Sequence, residues 1–357
     1  MSEDSGTPPR LVRRLIGHDA AWNEVADAWA SGRFAHAWMI SGPRGIGKAS
    51  FAYLLAKAIL TAPPVEAGGL FGPAAPRPLA RDLDLAHPAL PRIESGAHPD
   101  LIAVEIGWTD DKMTKRRTEI VVDDVRAVAA FLSKTPAEGG WRVVVVDAAD
   151  EMNRSAANAL LKSLEEPPKR SVLLLVAHNP GSLLPTIRSR CRRLTLAPLG
   201  EAEMTEGLAG LLPEEGAERR ARLARMADGS LGEALMLARG DGDALAAEIA
   251  ALLRAWPRLE LAAVSAFAAR VAADEERYRL CARLLPGWVA ATLRRGAGAP
   301  AMGGAEGAAL AVPLEQWVEV WEKVSDLFRR AEAVNLDRRH VVLAAFHALV
   351  SPAATLP

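Results

Sequence analysis

A glycine-rich loop near the N-terminus carries the first residues whose types and spacing could do chemistry. It lies between a short apolar strand predicted at 37–40 and an alanine- and leucine-rich helix, the order that a phosphate-binding loop requires. The glycines let backbone N–H groups converge on phosphate oxygens, and the lysine supplies a positive charge for the β and γ phosphates. The predicted phosphate-binding residues are Gly42, Pro43, Arg44, Gly45, Ile46, Gly47, Lys48, Ala49 and Ser50. The alternative is a glycine-rich turn with an accidental lysine.

One position in this loop departs from the phosphate-binding pattern. The residue after Lys48 should be serine or threonine, whose hydroxyl ligates Mg²⁺, but it is Ala49. Ser50 follows one residue late, and a helix turns by about 100° per residue, so its hydroxyl points elsewhere. The pattern therefore predicts phosphate binding with impaired metal-assisted chemistry.

A second candidate group is the acid that ends a run of valines. The four valines before Asp147 predict a strand buried on both faces, and an acid at the carboxyl end of such a strand lies where ligands bind. In nucleotide hydrolases with this kind of loop, that acid helps to hold Mg²⁺ and a glutamate commonly follows it to orient the attacking water. Here the following residue is Ala148. The site retains the metal-side acid and lacks the group that makes hydrolysis fast.

Two further groups have more than one interpretation. Asn179, after the apolar strand predicted at 171–177, could sense a γ-phosphate through a hydrogen bond, or it could be a turn former before Pro180. A cluster of arginines follows, which could be a solvated face, a phosphate track or an arginine finger presented to a neighbouring subunit. Its members are Arg188, Arg190, Arg192 and Arg193.

Composition limits the classes of protein that remain. At 357 residues with 50% hydrophobic and 24% charged residues, the chain is long enough for two or three packed domains. A net charge of −1 argues against coating nucleic acid by bulk charge. Arg126, near the start of a predicted helix, could meet a DNA phosphate, but an isolated basic residue is more often simply exposed.

The sequence also gives expectations about metals and cellular location. The two cysteines, Cys191 and Cys281, cannot form a disulfide framework or a four-cysteine zinc site, and His87 and His98 without thiolates are weak ligands. No metal site and no zinc are therefore predicted. The N-terminus lacks the apolar core of a signal peptide, and no apolar stretch reaches the roughly 20 residues that span a bilayer. A cytoplasmic location is expected.

The order of these motifs resembles one family. The segments HAWMISGPRGIGKAS, HPDL, VDDVR, ALLKSLEEPP and PTIRSRC are similar to the AAA+ clamp-loader subunits of bacterial DNA polymerase III, from about Leu11 to Arg239. The pairing of ALLKSLEEPP with Ser189-Arg190-Cys191 is the most specific part. The resemblance implies an α/β AAA+ P-loop domain, a parallel sheet flanked by helices, at 1–196. It further implies a three-helix lid at 197–240 and an all-α collar domain for oligomerisation at 241–357.

The same resemblance implies roles for single residues. Arg190 is expected to be an arginine finger that reaches the ATP site of an adjacent motor subunit, while Gly42 to Lys48 form a Walker A loop and Asp147 is the remaining Walker B acid. Gly232 stands where motor subunits carry a sensor arginine. With Ala49 and Ala148, these departures imply a stator that completes another subunit's catalysis and has weak or no ATPase activity and no polymerase site of its own.

The expected partners are the gamma or tau motor subunits and the delta subunit of a hetero-oligomer, the sliding clamp and primer-template DNA, with no membrane. The expected cofactor is ATP, held with little or no Mg²⁺. Two alternatives remain: an active gamma- or tau-type ATPase, and a free-standing P-loop NTPase.

Overall fold

The computed structural model describes residues 7–63, 78–109, 117–138, 140–239, 242–296, 312–334 and 336–351. Contacts divide the chain into two compact units. The first comprises residues 1–220 and 227–233, and the second comprises residues 221–226 and 234–357. The division at 196 and 240 expected from the resemblance stays a prediction.

The first unit is built on a five-stranded parallel sheet. Its strands are β1 (Ala37–Ser41), β2 (Leu101–Glu105), β3 (Arg142–Asp147), β4 (Ser171–Ala177) and β5 (Arg192–Thr195). They lie in the order β2-β3-β4-β1-β5, and every neighbouring pair is parallel. Strands β1 and β4 are buried along their whole length and β3 is buried up to Asp147, as expected of strands covered on both faces.

Helices cover both faces of this sheet. In the first unit they are α1 (Asp19–Ala30), α2 (Lys48–Thr61), α3 (Ala89–Ser95), α4 (Val122–Leu132), α5 (Arg154–Glu165), α6 (Pro185–Arg188) and α7 (Glu201–Leu211). One apolar cluster joins α1 and α2 to one face of the sheet, and a second joins α4 and α5 to the other face. The predicted α/β architecture is confirmed.

Several elements differ from the sequence-based expectations. The stretch at 61–100 is rich in Pro, Gly and Ala and predicts a connecting segment without regular structure, but helix α3 lies within it. Helix α4 begins at Val122, and Asp124 accepts a hydrogen bond from the backbone N–H of Val121 (3.0 Å), so this acid caps the helix from within its first turn. Strand β5 was not predicted.

The second unit is helical throughout its described residues. Helices α8 (Ala217–Met226) and α9 (Leu231–Arg239) cross the boundary between the units, and α10 (Gly242–Leu253), α11 (Leu261–Ala273), α12 (Glu275–Gly296), α13 (Leu314–Val334) and α14 (Arg338–Val350) follow. Three aromatic residues of the C-terminal helices are predicted from the sequence to be core residues: Trp317, Trp321 and Phe346. The prediction is confirmed for Trp317 and Phe346. It is wrong for Trp321, which is exposed on α13.

Candidate functional site

The glycine-rich loop connects β1 to α2 as the sequence predicts. Gly42, Gly45 and Gly47 have φ angles of 144°, 72° and 97°, a region that side chains other than glycine rarely adopt. A Cβ on Gly42 would lie 2.5 Å from the carbonyl oxygen of Leu196, so space as well as backbone conformation requires glycine there. Helix α2 then begins at Lys48. The loop backbone has the conformation of an anion-binding nest at a helix N-terminus.

The ammonium group of Lys48 points into the glycine-rich loop. Its Nζ donates hydrogen bonds to the carbonyl oxygens of Gly42 (2.8 Å) and Pro43 (2.6 Å). Burial and the nearby guanidinium of Arg44 lower the pKa of Lys48 to about 8. Within the described chain, the backbone N–H groups from Gly45 to Ser50 donate no hydrogen bond. The amides therefore remain available to an anion, while the lysine is held beneath them.

The side chains after Lys48 differ in their surroundings. Ala49 is half-buried and packs against the apolar cluster that includes α2, while Ser50 is half-buried on the next position of the helix. The phosphate-binding role of Ala49 and Ser50 stays a prediction. Position 49 carries no hydroxyl that could ligate Mg²⁺.

Acidic groups collect at the carboxyl edge of the sheet beside the loop. Asp147 ends β3 and is in register with Glu105, which ends β2. Burial, and then the charges of Glu105 and Glu151, raise the pKa of Asp147 to about 6. The hydroxyl of Tyr53, on α2, donates to Oε1 of Glu105 (3.1 Å). Glu105 was missed from the sequence, although its place at the end of LIAVE marked it as a neighbour of Asp147.

Ala148 follows Asp147 and is 3% exposed. A buried methyl group therefore stands at the sequence position where nucleotide hydrolases with this kind of loop commonly carry a glutamate. The next acid along the chain, Asp150, has a different role. Its two carboxylate oxygens accept hydrogen bonds from the backbone N–H groups of His178 (2.9 Å) and Asn179 (2.8 Å), which fixes the end of β4.

Asn179 itself lies at the exposed start of a short 3₁₀ turn. Its Oδ1 accepts a hydrogen bond from the N–H of Gly181 (3.2 Å), which is the turn-forming contact that the sequence offered as one alternative. The proposed contact with a γ-phosphate stays a prediction.

A segment at 227–233, which belongs to the first unit, packs directly on the glycine loop. The N–H of Gly232 donates to the carbonyl oxygen of Gly45 (2.8 Å), and Oγ of Ser230 donates to that of Arg44 (3.1 Å). A Cβ on Gly232 would lie 2.8 Å from the backbone of Gly45, and a Cβ on Gly45 would lie 2.4 Å from Oγ of Ser230. Glycine at 232 is therefore required by close backbone packing, a role that the sequence did not reveal.

Two other side chains hold this loop. His18 is buried, and its Nε2–H donates to the carbonyl oxygen of Ile46 (2.7 Å). Burial lowers the pKa of His18, which favours the neutral ring. Arg44 forms an ion pair with Glu151 (3.6 Å). The loop is thus fixed by contacts from its own chain on several sides.

The predicted arginine cluster is divided by the fold. Arg192 and Arg193 lie on the edge strand β5, where Arg192 pairs with Glu24 (3.0 Å) and stacks over Trp38, 4.7 Å from the ring centroid. Arg193 is exposed and Arg188 is half-buried on α6. The cluster is therefore shared between α6, the turn after it and the edge strand β5.

Arg190 lies at the surface just after α6. Its Nη2 pairs with Oε1 of Glu165 (2.8 Å), and its Nη1 donates to the carbonyl oxygen of Thr186 (2.9 Å). The Arg190 side chain remains 35% exposed, so the guanidinium is accessible from outside the molecule. The predicted role of Arg190 as an arginine finger for a neighbouring subunit stays a prediction.

The histidines considered as metal ligands have structural contacts. Nδ1 of His98 accepts the N–H of Asp100 (3.1 Å), and Nδ1 of His87 accepts the N–H of Ala89 (3.2 Å) at the start of α3. Among the described residues, no group of three or more histidine, cysteine or acidic side chains could hold a metal ion. No helix in the described ranges is long and apolar enough to cross a membrane. Arg126 is exposed and pairs with Asp123 (2.7 Å).

Comparison with known proteins agrees with this architecture. Residues 79–200 match the family model described as DNA polymerase III, delta subunit. The delta-prime subunit of DNA polymerase III from Pseudomonas aeruginosa is 37% identical over 211 residues, 58% of this chain and 58% of that protein. The delta-prime subunit from Bacillus subtilis is 33% identical, covering 58% of this chain and 55% of that protein. The tau subunit from Escherichia coli is 32% identical over 254 residues, 69% of this chain and 36% of that protein. The chain therefore spans 58% or less of the length of these three relatives.

The strand order, the glycine loop after β1 and the acid at the end of β3 define a P-loop protein of the AAA+ class. The sequence matches narrow the likeness within that class. The matched stretches of the chain are similar to delta-prime subunits of DNA polymerase III over 55–58% of the length of those subunits.

Proposed function

We propose that this protein is the delta-prime subunit of a DNA polymerase III clamp loader and that it completes the ATP site of a neighbouring motor subunit. Arg190 is the group that it contributes. The observation that carries this proposal is the contrast between an accessible Arg190 and a buried methyl group, Ala148, at the place of the catalytic glutamate.

The chemistry of Arg190 suits a role in trans. A guanidinium presented to the γ-phosphate of a bound nucleotide stabilises the charge that develops during phosphoryl transfer, and such fingers are worth about 10³ to 10⁵ in rate. The side chain lies after the short helix α6 and faces solvent. Its ion-pair partner Glu165 is 49% exposed, so the pair is open to solvent and a phosphate from another subunit can approach the guanidinium.

The protein's own loop fits nucleotide binding better than hydrolysis. The free amides of the loop and Lys48 suit a phosphate chain, with ATP as the proposed ligand. Ala49 provides no hydroxyl for Mg²⁺, and Asp147 would be the sole remaining metal-side acid of the motif. The subunit would therefore turn over ATP slowly or not at all by itself.

The proposed partners follow from the relatives. The similar proteins are named as delta-prime, tau and gamma subunits of DNA polymerase III. We infer that this chain assembles with gamma- or tau-type motors and a delta subunit, and that the complex loads a sliding clamp on primer-template DNA. Arg126 stays a candidate for contact with that DNA.

The test is the ATPase activity of the reconstituted clamp loader with clamp and primed DNA. Only one motor site faces Arg190, and we expect the motor sites to hydrolyse ATP in a coupled manner, so that the slow site limits the others. Arg190→Ala should therefore lower the DNA-stimulated rate at least about tenfold. Arg193→Ala is the matched control, because Arg193 is an exposed arginine three residues away. Its complex should keep the wild-type rate.

Assembly is measured on the same samples by size-exclusion chromatography. Unchanged hydrolysis by a complex that contains Arg190→Ala would refute the finger. Fast ATP turnover by the purified chain alone would instead show a motor subunit.

A further inference from the structure

The ion pair between Arg190 and Glu165 joins two elements that the sequence keeps apart. Glu165 is the last residue of α5, and Arg190 follows α6. The Nη2–Oε1 distance of 2.8 Å and the Nη1 contact with Thr186 hold the guanidinium from two sides. Neither contact uses the Nε–H group of Arg190.

The position of Glu165 on its helix is electrostatically unusual. Carbonyl groups at a helix C-terminus carry partial negative charge, so an acid in the last turn is unfavourable unless a cation compensates it. Pro167 and Pro168 end α5 immediately after Glu165 and Glu166. The guanidinium of Arg190 supplies the compensating positive charge at Glu165. The carboxylate of Glu165 and the carbonyl groups at the end of α5 together form a site of negative potential that binds the guanidinium of Arg190.

Helix α5 also connects this guanidinium-binding site to the edge of the sheet. Helix α5 starts at the cap residue Asn153, whose Oδ1 accepts the N–H of Ala156 (2.9 Å), shortly after the segment that contains Asp150. Asp150 in turn holds the backbone at the end of β4, from which the chain continues to α6. Both sides of the Arg190 pair are therefore anchored to the rigid sheet.

We propose that Glu165 is a positioning residue that orients the guanidinium of Arg190 for the neighbour's nucleotide. This inference rests on the proposed finger role of Arg190. An arginine side chain has many rotamers, and fixing it before the phosphate arrives reduces the ordering required in the transition state. Glu165 acts through Arg190 and does not itself touch the nucleotide.

The experiment uses the reconstituted clamp loader and compares four further variants of this subunit with wild type and with Arg190→Ala. Glu165→Ala removes the acceptor, and Glu165→Gln keeps an oxygen acceptor in place while removing its charge. Glu166→Ala is the control, since Glu166 is the adjacent exposed acid at the same helix end. The fourth variant combines Glu165→Ala with Arg190→Ala.

The expected result is a fall in kcat of about fivefold to tenfold for Glu165→Ala, with KM for ATP within about twofold of wild type. Glu165→Gln should recover at least about half of the wild-type kcat, because the hydrogen-bond acceptor remains. Glu166→Ala should match wild type. In the double variant the loss should equal that of Arg190→Ala alone, because an orienting group has no effect once its partner is absent.

The outcomes separate the two levels of the proposal. If Arg190→Ala leaves hydrolysis unchanged, the proposed function fails. If Arg190→Ala lowers kcat but Glu165→Ala does not, only the positioning role fails. A further loss in the double variant relative to Arg190→Ala would assign Glu165 a general structural role and overturn the inference.

Discussion

The glycine-loop region and the Arg190 region of the first unit hold their charges in opposite ways. Lys48 is buried and donates to carbonyl groups of its own loop, and burial disfavours the charged form of Asp147. Arg190 instead lies at the surface and pairs with a half-exposed carboxylate. The charged group of Lys48 contacts only its own loop and so stabilises its own fold. The guanidinium of Arg190 lies in an exposed ion pair and can contact a ligand bound to another subunit.

The second difference between these regions is the tightness of their packing. Gly45 and Gly232 touch backbone to backbone, and Ser230 bridges the helix start and the loop, because its Oγ also accepts the N–H of Glu233 (3.1 Å). The Arg190 region has no comparable restriction around its guanidinium. We infer that the loop acts as a fixed support for the 227–233 segment in this subunit.

The strongest way to break this comparison is to add one methyl group at the glycine contact. Gly232→Ala should lower the free energy of unfolding by about 2 kcal/mol, because the new Cβ overlaps the Gly45 backbone. Gly210→Ala is the matched control, since Gly210 lies in helix α7 with open space around it. That control should be neutral or stabilising by up to about 1 kcal/mol, as alanine favours helix.

Urea denaturation of both variants provides the measurement. Equal stability of Gly232→Ala and Gly210→Ala would show that the segment does not pack tightly on the loop. The Arg190-dependent ATPase of the assembled complex is a useful companion assay. We expect Gly232→Ala to lower the free energy of unfolding clearly and to change this ATPase rate only slightly.

A pH series tests the inward-facing charge of Asp147. Its pKa is raised from 3.8 to about 6, so the folded chain binds this proton more tightly than the unfolded chain. Below about pH 4, Asp147 is protonated in both the folded and the unfolded state. Between about pH 4 and 6 only the unfolded state releases the proton. The contribution of Asp147 to the free energy of unfolding therefore falls as pH rises. Asp147→Asn should match wild type at pH 4 and be more stable by about 1 to 2 kcal/mol at pH 7.5.

Chemical denaturation at both pH values checks this expectation, with the exposed Asp27→Asn as the control. The control should show nearly the same difference from wild type at each pH. An Asp147→Asn variant that is less stable than wild type at pH 7.5 would mean that the carboxylate forms a net stabilising interaction at the edge of the sheet.

The parts of the fold predicted from sequence are those whose residues are buried on both sides. The apolar runs of β3 and β4 and the turn from β1 into α2 specify their structure locally. Strand β5 was not predicted, because it lies at the edge of the sheet, pairs only with β1 and is largely exposed. In the sequence its arginines therefore resemble a solvated segment. Edge strands of this kind lack the hydrophobic signal on which the prediction depended.

The site was predicted in the same uneven way. The loop residues and Asp147 follow from motif spacing, whereas the Gly232 contact and the Glu165 pair join positions separated by 187 and 25 residues, counted from Gly45 and Arg190. No local pattern encodes such distances. Glu105 could have been found, because the apolar run LIAVEI predicts its strand and neighbouring parallel strands end at the same edge of a sheet.

The smallest expected effect concerns Mg²⁺ at the protein's own loop. Nucleotide affinity should change by less than about threefold between Mg²⁺ and a chelator, since Ala49 offers no hydroxyl ligand and only Asp147 of the two motif positions remains to hold the ion. Fluorescent-nucleotide titration of the purified chain measures it, and Ala49→Ser should increase the Mg²⁺ dependence by restoring a hydroxyl. Lys48→Ala should weaken binding under both conditions. A tenfold tightening by Mg²⁺ in the wild-type chain would show that the loop region retains motor-type metal chemistry and would remove the contrast with Arg190.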